Sequence, residues 1–334
     1  MRRLIWGAVF IVVIGCVWWG AGTFAVQRGV HVWLQERGEH AWQIDAQDVQ
    51  SGGFPASFHT ALLGVSVADP QKRGIWRAGR IDVSAPVYWP GFVTIDFPSE
   101  NLSFETPLAQ FDVFADNASA QIRVRPGMSL DLEKLALVSD AWRLEAGGDW
   151  LVGAQDLIVS MTQNVDIKSQ YFFDIDAKGM GVGGGLRDRV GIPQDWPAQF
   201  DVFNAKMSAV FDRPWGIGAL GDVKPQPRKI SLSRAEVKWG ELGLSVSGDF
   251  DIDGQGVPTG KLSLRAQNWR QILELAVRMG GLPRARYQET SDVLELLASL
   301  SGDPDDIDLQ LNFAGGMVAV GFIPIGPAPR LVIR

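Results

Sequence analysis

The chain has 334 residues, 46% of them hydrophobic and 21% charged, which excludes a disordered segment and allows a sizeable core. Its formal charge of −7 at neutral pH excludes nucleic acid as a partner, because phosphates demand a basic face. With 38 Gly, 18 Pro and 13 Trp it favours short strands and tight turns, and its single Cys excludes a disulfide framework.

Arg2 and Arg3 precede an uncharged run from Leu4 to Val26. As a helix that run spans a hydrocarbon core of about 30 Å. The positive residues on its short side place the N-terminus in the cytoplasm and the body on the far side of the membrane. The expected partner is therefore the membrane, through residues 4–26, and the expected location is the inner (plasma) membrane, single-pass. Residues 1–26 read as cytoplasmic stub and signal anchor. Two rival readings exist. Val13-Ile14-Gly15-Cys16 looks like a lipobox, so Cys16 is a lipidation candidate, although the chain stays apolar to Val26. Cleavage near Ala21-Gly22-Thr23 is the other.

Residues 27–41 continue as a juxtamembrane helix, with Val30, Trp33 and Leu34 at helical spacing. From Trp42 the pattern becomes period-2. Ile81 to Ala85, Val93 to Phe97, Leu102 to Glu105, Phe111 to Phe114, Ala120 to Val124, Leu130 to Leu137 and Leu157 to Met161 alternate apolar and polar residues. Such alternation predicts antiparallel strands with one wet face. The hexapeptide Ala109-Gln110-Phe111-Asp112-Val113-Phe114 recurs as Ala198-Gln199-Phe200-Asp201-Val202-Phe203, which suggests two related β-modules, 42–178 and 179–334. The Gly-rich stretch from Gly179 to Asp195 is read as the connection. Strands resume at Ile230 to Trp239, Leu244 to Ile252 and Lys261 to Ala266. A helical hairpin over 268–302 follows. Asn268 is its expected cap with Gln271 three residues on, and Trp269, Ile272, Leu273 and Ala276 form one apolar face. The second helix is expected after Thr290-Ser291, with Val293, Leu296, Leu297 and Leu300 as its stripe. Two strands close the chain, Ile307 to Phe313 and Met317 to Phe322. The fold class is mainly β with minor α.

The motifs carry little chemistry. His31, His40 and His59 are scattered, without metal-ligand spacing. Gly179-Met180-Gly181-Val182-Gly183-Gly184 satisfies GxGxxG, yet Gly191 and Pro193 end any helix within two turns, so no dinucleotide site is expected. Asp249, Asp251 and Asp253, followed by Gly254, open like a calcium loop. The twelfth position is Gly260 rather than Glu, so a solvated hairpin edge is the better reading and calcium the weaker one. No catalytic residue and no cofactor is nominated; the chain is read as non-enzymatic.

Further residues carry a resemblance. After the charged stub and single span come Gly53-Phe54-Pro55, a strand ending in Asp69-Pro70, the aromatic Pro86-Val87-Tyr88-Trp89-Pro90, and the closing run from Gly316 to Pro324. The chain resembles the uncharacterised alphaproteobacterial family catalogued as domain of unknown function 2125 and, more distantly, the AsmA-like inner-membrane proteins. The resemblance implies a periplasmic body and an extended, curved antiparallel sheet. In the larger AsmA-like proteins such a sheet offers an apolar groove associated with lipid transfer, whereas 334 residues are too few to bridge a periplasm. The expected function is handling of an apolar ligand such as lipid in the cell envelope. An interaction scaffold with an envelope protein partner is the alternative, and an envelope hydrolase a more remote one.

Overall fold

The structure is a computed structural model and describes residues 43–333 apart from 70–73, 98–100, 108, 194–195, 221–223, 302 and 322. The anchor, the 27–41 helix, Cys16, His31 and His40 lie outside the described residues. Among the described residues, no helix is long and apolar enough to cross a membrane. The described chain is mainly β, its strands pair antiparallel, and it divides into two compact units.

Unit 1 comprises residues up to Arg123 with 144–148. Its spine is the long pair β3 (Ser57–Asp69) and β4 (Gly74–Pro86). Strands β1 (Gln43–Asp45) and β2 (Asp48–Gly52) pair with β3. At one end β4 pairs with β5 (Phe92–Phe97), and β5 with β8 (Ala118–Val124). At its other end β4 pairs with β6 (Leu102–Glu105), and β6 with β7 (Gln110–Ala115). The register sets Val83 opposite Ile95 and Ile95 opposite Ala120, so the alternation seen in sequence gathers on one face.

Unit 2 comprises 124–143 and 149–334. It is a ladder of ten strands that follow one another nearly in chain order. They are β9 (Leu132–Ser139), β12 (Asp156–Gln163), β13 (Gln170–Lys178), β15 (Val202–Phe211), β16 (Pro227–Trp239), β17 (Leu242–Ile252), β18 (Pro258–Gln267), β19 (Asp306–Ala314), β20 (Met317–Val320) and β21 (Ile323–Pro327). Of the shorter strands, β10 (Trp142–Ala146) precedes β11 (Asp149–Ala154), and β11 pairs with β14 (Gly181–Val182). Three helices are attached: α1 (Gly184–Val190), α2 (Trp269–Arg278) and α3 (Tyr287–Ser301).

Several sequence readings need correction. The stretch after Gly179 is not a bare connection; it forms β14 and α1. Its glycines serve close packing: a Cβ on Gly183 would run into the Trp150 carbonyl, and one on Gly181 would meet the Ala198 carbonyl at 2.8 Å. Asn268 does not cap α2 with its side chain. It sits in the left-handed region, and its amide donates to the Glu241 carbonyl at 2.7 Å. Helix α3 starts at Tyr287, before Thr290, and Val293 and Leu296 point outward while Leu294 and Ala298 face the core. Strand β20 ends at Val320 because Gly321 (φ +56°) turns the chain into β21.

The repeated hexapeptide folds in two ways. Gln110 to Phe114 lies within β7, whereas Phe200 and Asp201 precede β15. In the second copy the Phe200 N–H donates to the Met180 carbonyl, and the Asp201 carboxylate accepts the Gly240 N–H. Tertiary partners override the local pattern there.

Candidate apolar ligand site

Cross-strand register in unit 2 places two apolar rows side by side on one face. The first runs Leu137, Val159, Ile175, Ala205, Ala235, Val246, Leu264 and Leu309, each directly opposite the next. The second runs Leu135, Met161, Phe173, Met207, Leu232, Gly248, Leu262, Leu311 and Val320. A bulge keeps them together. Leu232 and Ala235 are three apart and would alternate to opposite faces, but the register shift between them adds Ser233 and restores both to one face. Every residue of both rows is half-buried. At one side Leu264 and Leu309 pack against the cluster of Trp269, Leu273 and Ala298, and at the other Met161 and Phe173 pack against Tyr171 and Phe211.

The opposite face is wet. Asp174 pairs with Lys206 at 3.2 Å, Arg265 with Asp308 at 2.6 Å, and Asp249 accepts a hydrogen bond from the Ser231 hydroxyl.

Both long margins of the apolar face are closed. Along one margin α2 and α3 bury Trp269, Leu273, Ala298, Ala266 and Ile307. The Trp269 ring nitrogen there donates to the Pro304 carbonyl at 3.0 Å. Beside them α1 and the segment after it bury Val190, Ile192, Trp239 and Leu242. Along the other margin Tyr171, Ala209 and Phe211 pack with Trp215 and Ile333. The Tyr171 hydroxyl accepts the Trp215 N–H at 3.0 Å and an N–H of the Gln163 amide at 3.0 Å. Burial pushes its phenol above the ordinary value, against those two hydrogen bonds.

The C-terminal tail completes that margin. Ala328 and Leu331 donate backbone N–H groups to Gly316 and Gly256, each at 2.8 Å. The Gln226 side-chain amide then imitates a strand: it accepts the Ile333 N–H at 3.0 Å and donates to the Ile333 carbonyl at 2.8 Å. Nothing in the sequence of the tail marks this role, apart from its apolar Leu331, Val332 and Ile333. The longer row crosses eight inter-strand steps of about 4.8 Å, roughly 38 Å in all. A lipid tail, by comparison, spans half of a hydrocarbon core of about 30 Å.

The other candidates separate. Asp249 and Asp251 lie on the wet face of β17. Asp253 lies past the strand, and its carboxylate accepts the N–H groups of Val257 and Gln255, at 2.9 and 2.8 Å, which hold it below the usual carboxylate range. Among the described residues, no three His, Cys, Asp or Glu side chains gather as metal ligands. His59 stands 3.2 Å from Asp82, whose carboxyl is held low chiefly by its hydrogen bond from Arg80. A depression of about 760 Å³ between α2 and α3 is lined by Glu274, Arg278, Arg284, Tyr287 and Gln288. Val277 also lines it, so its wall mixes apolar and charged groups, and Arg278 is already engaged by the Gly191 carbonyl and by Glu274 at 3.6 Å.

A family model described as uncharacterized protein conserved in bacteria (DUF2125) matches residues 19–329. No curated protein matches the chain.

Proposed function

The chain belongs to this uncharacterized bacterial family, DUF2125, and from that premise we propose that it is a membrane-anchored, periplasmic, non-enzymatic protein that binds lipid on the apolar face of unit 2. The observation that carries the reading is the pair of unbroken apolar rows, half-buried across the ladder and closed along both margins. Apolar side chains held at half burial, without charge, suit an acyl chain that brings its own apolar surface. The run from residue 4 to 26 and the arginines before it support the anchor and its sidedness. The non-enzymatic part is supported by the perturbed carboxylates. The Asp82 and Asp253 carboxyls are held below the usual range by an arginine or by backbone N–H groups, opposite to the raised value of a general acid. Burial works against Asp212, yet the Gln226 N–H and two arginines still keep its carboxyl low.

A photo-crosslinking amino acid at Val246, in the full chain in cells, tests the reading. Lipid adducts are expected at Val246 and not at Ser247, which lies on the other face of the same strand. Equal labelling at the two positions, or protein adducts at Val246, would overturn it.

A second reading, a scaffold for envelope assembly, is supported by the outward stripe of α3. Val293 and Leu296 are exposed there beside Asp292 and Glu295. A crosslinker at Leu296 that captures one stable protein, with Val246 silent, would favour it.

A further inference from the structure

A second apolar surface lies in unit 1, on two turns side by side. One joins β2 to β3 and carries Phe54; the other joins β4 to β5 and carries Tyr88 and Trp89. Ser57 pairs with Pro86, and the Val87 N–H donates to the Ala56 carbonyl at 3.1 Å, so the turns share one end of the sheet. Each is held by its own backbone. Ser57 donates its N–H to Gly53, Trp89 to Pro86 and Phe92 to Trp89, each at 3.0 Å. On this frame Tyr88 is 86% exposed, Phe54 54% and Trp89 37%.

Such exposure is costly in water, and the residue types narrow what relieves it. Tyr and Trp combine an apolar ring with a polar tip, the combination enriched where hydrocarbon meets headgroups. Neither turn contains a charged residue, although the chain carries −7 overall. A cation borders the tip: the Arg123 guanidinium lies 5.9 Å from the centre of the Trp89 ring, and Arg123 pairs with Phe92. An aromatic tip with a cation beside it and no carboxylate in its turns is complementary to a layer of phosphates over hydrocarbon. A protruding pair of turns also enters a soft headgroup layer without needing a matching surface.

We propose that the Phe54, Tyr88 and Trp89 turns are a docking surface for the headgroup layer of a phospholipid bilayer. This surface stands independently of the lipid reading of unit 2. The turns lie at the Ser57 end of β3, whereas β1, where the described chain begins, pairs near its Ala68 end. The docking point is thus a second contact, at the other end of β3 from the chain's entry.

The test uses the full chain reconstituted in phospholipid vesicles that carry a shallow, spin-labelled quencher lipid. An environment-sensitive fluorescent amino acid replaces Tyr88 in one sample and Gln110 in another. Gln110 is exposed and pairs with Glu105, at the opposite end of unit 1. Quenching at position 88 is expected to be at least threefold that at 110, and Trp89→Asp is expected to return it to the level at 110. Equal quenching at the two positions overturns the proposal, as does quenching at 88 that survives Trp89→Asp. A protein ligand on the tip would show as a blue-shifted, unquenched probe at 88, and that too overturns it.

Discussion

Units 1 and 2 are built from the same alternation but finish it differently. In unit 2, large side chains such as Trp269, Tyr171, Trp239 and Phe211 are buried, all of them where a helix or the tail lies over the ladder. In unit 1 the buried apolar residues are mostly small or β-branched: Ala61, Val65, Ala78 and Ala118, with Phe58 the one large ring. On its apolar face Leu62, Ile81, Val83 and Ile95 are only half-buried, beside the buried Phe58 and Ala118. Alternation decides which face a residue joins. Elements outside the ladder decide whether that face is sealed, and sealing is what concentrates stability.

The largest blow to this contrast should come from Trp269→Ala. Emptying a site that is 2% exposed costs about 3–5 kcal/mol, and hydrogen exchange should accelerate in β17 to β19 while unit 1 is unchanged. Equal acceleration in both units would mean that they share one cooperative core. Gln226→Ala should cost about 1–2 kcal/mol, through two hydrogen bonds lost to Ile333. Its exchange signature should stay around Tyr171 and Phe211. Ile95→Ala, in the half-exposed face of unit 1, should cost only about 1 kcal/mol. A loss as large as that of Trp269→Ala would show the face of unit 1 to be sealed after all.

The smallest effect is electrostatic. The Asp82 carboxyl is held low first by the Arg80 hydrogen bond and less by His59, so its contribution exists above the ordinary carboxylate pKa of about 3.9 and is lost as pH falls through its folded value. Both partners are partly solvated, which screens the pair. Asp82→Asn should therefore lower the melting temperature by about 1–3 °C at pH 7, and the difference should shrink as pH falls below the ordinary carboxylate range.

The strands were legible where alternation was strict. Ile230 to Trp239, Leu244 to Ile252 and Ile307 to Phe313 fall almost residue for residue on β16, β17 and β19. The helical hairpin was legible from its spacing, but its orientation was not. Two stripes were available on α3, and packing under Trp269 and Ile307 selected the one with the smaller Ala298. Strand β13 was missed because Tyr171-Phe172-Phe173 puts an aromatic on both faces and blurs the period. The apolar rows were invisible as a unit, since they run across the strands. Each residue in them is separated from the next by a whole hairpin, and only register brings them together. The tail was missed for a different reason: its partner, Gln226, binds through a side-chain amide, which leaves no pattern in sequence.

Strand β21 carries one more consequence. A ladder of antiparallel strands is in principle an open-ended polymer, each edge offering a template to the next chain. In β21, Pro324 and Pro327 have no N–H to offer, while Ile323 and Ile325 stay exposed beside them. The prolines thus act as a chain terminator. They let the sheet expose apolar side chains at its last strand while denying a neighbouring molecule the donors it would need to extend it.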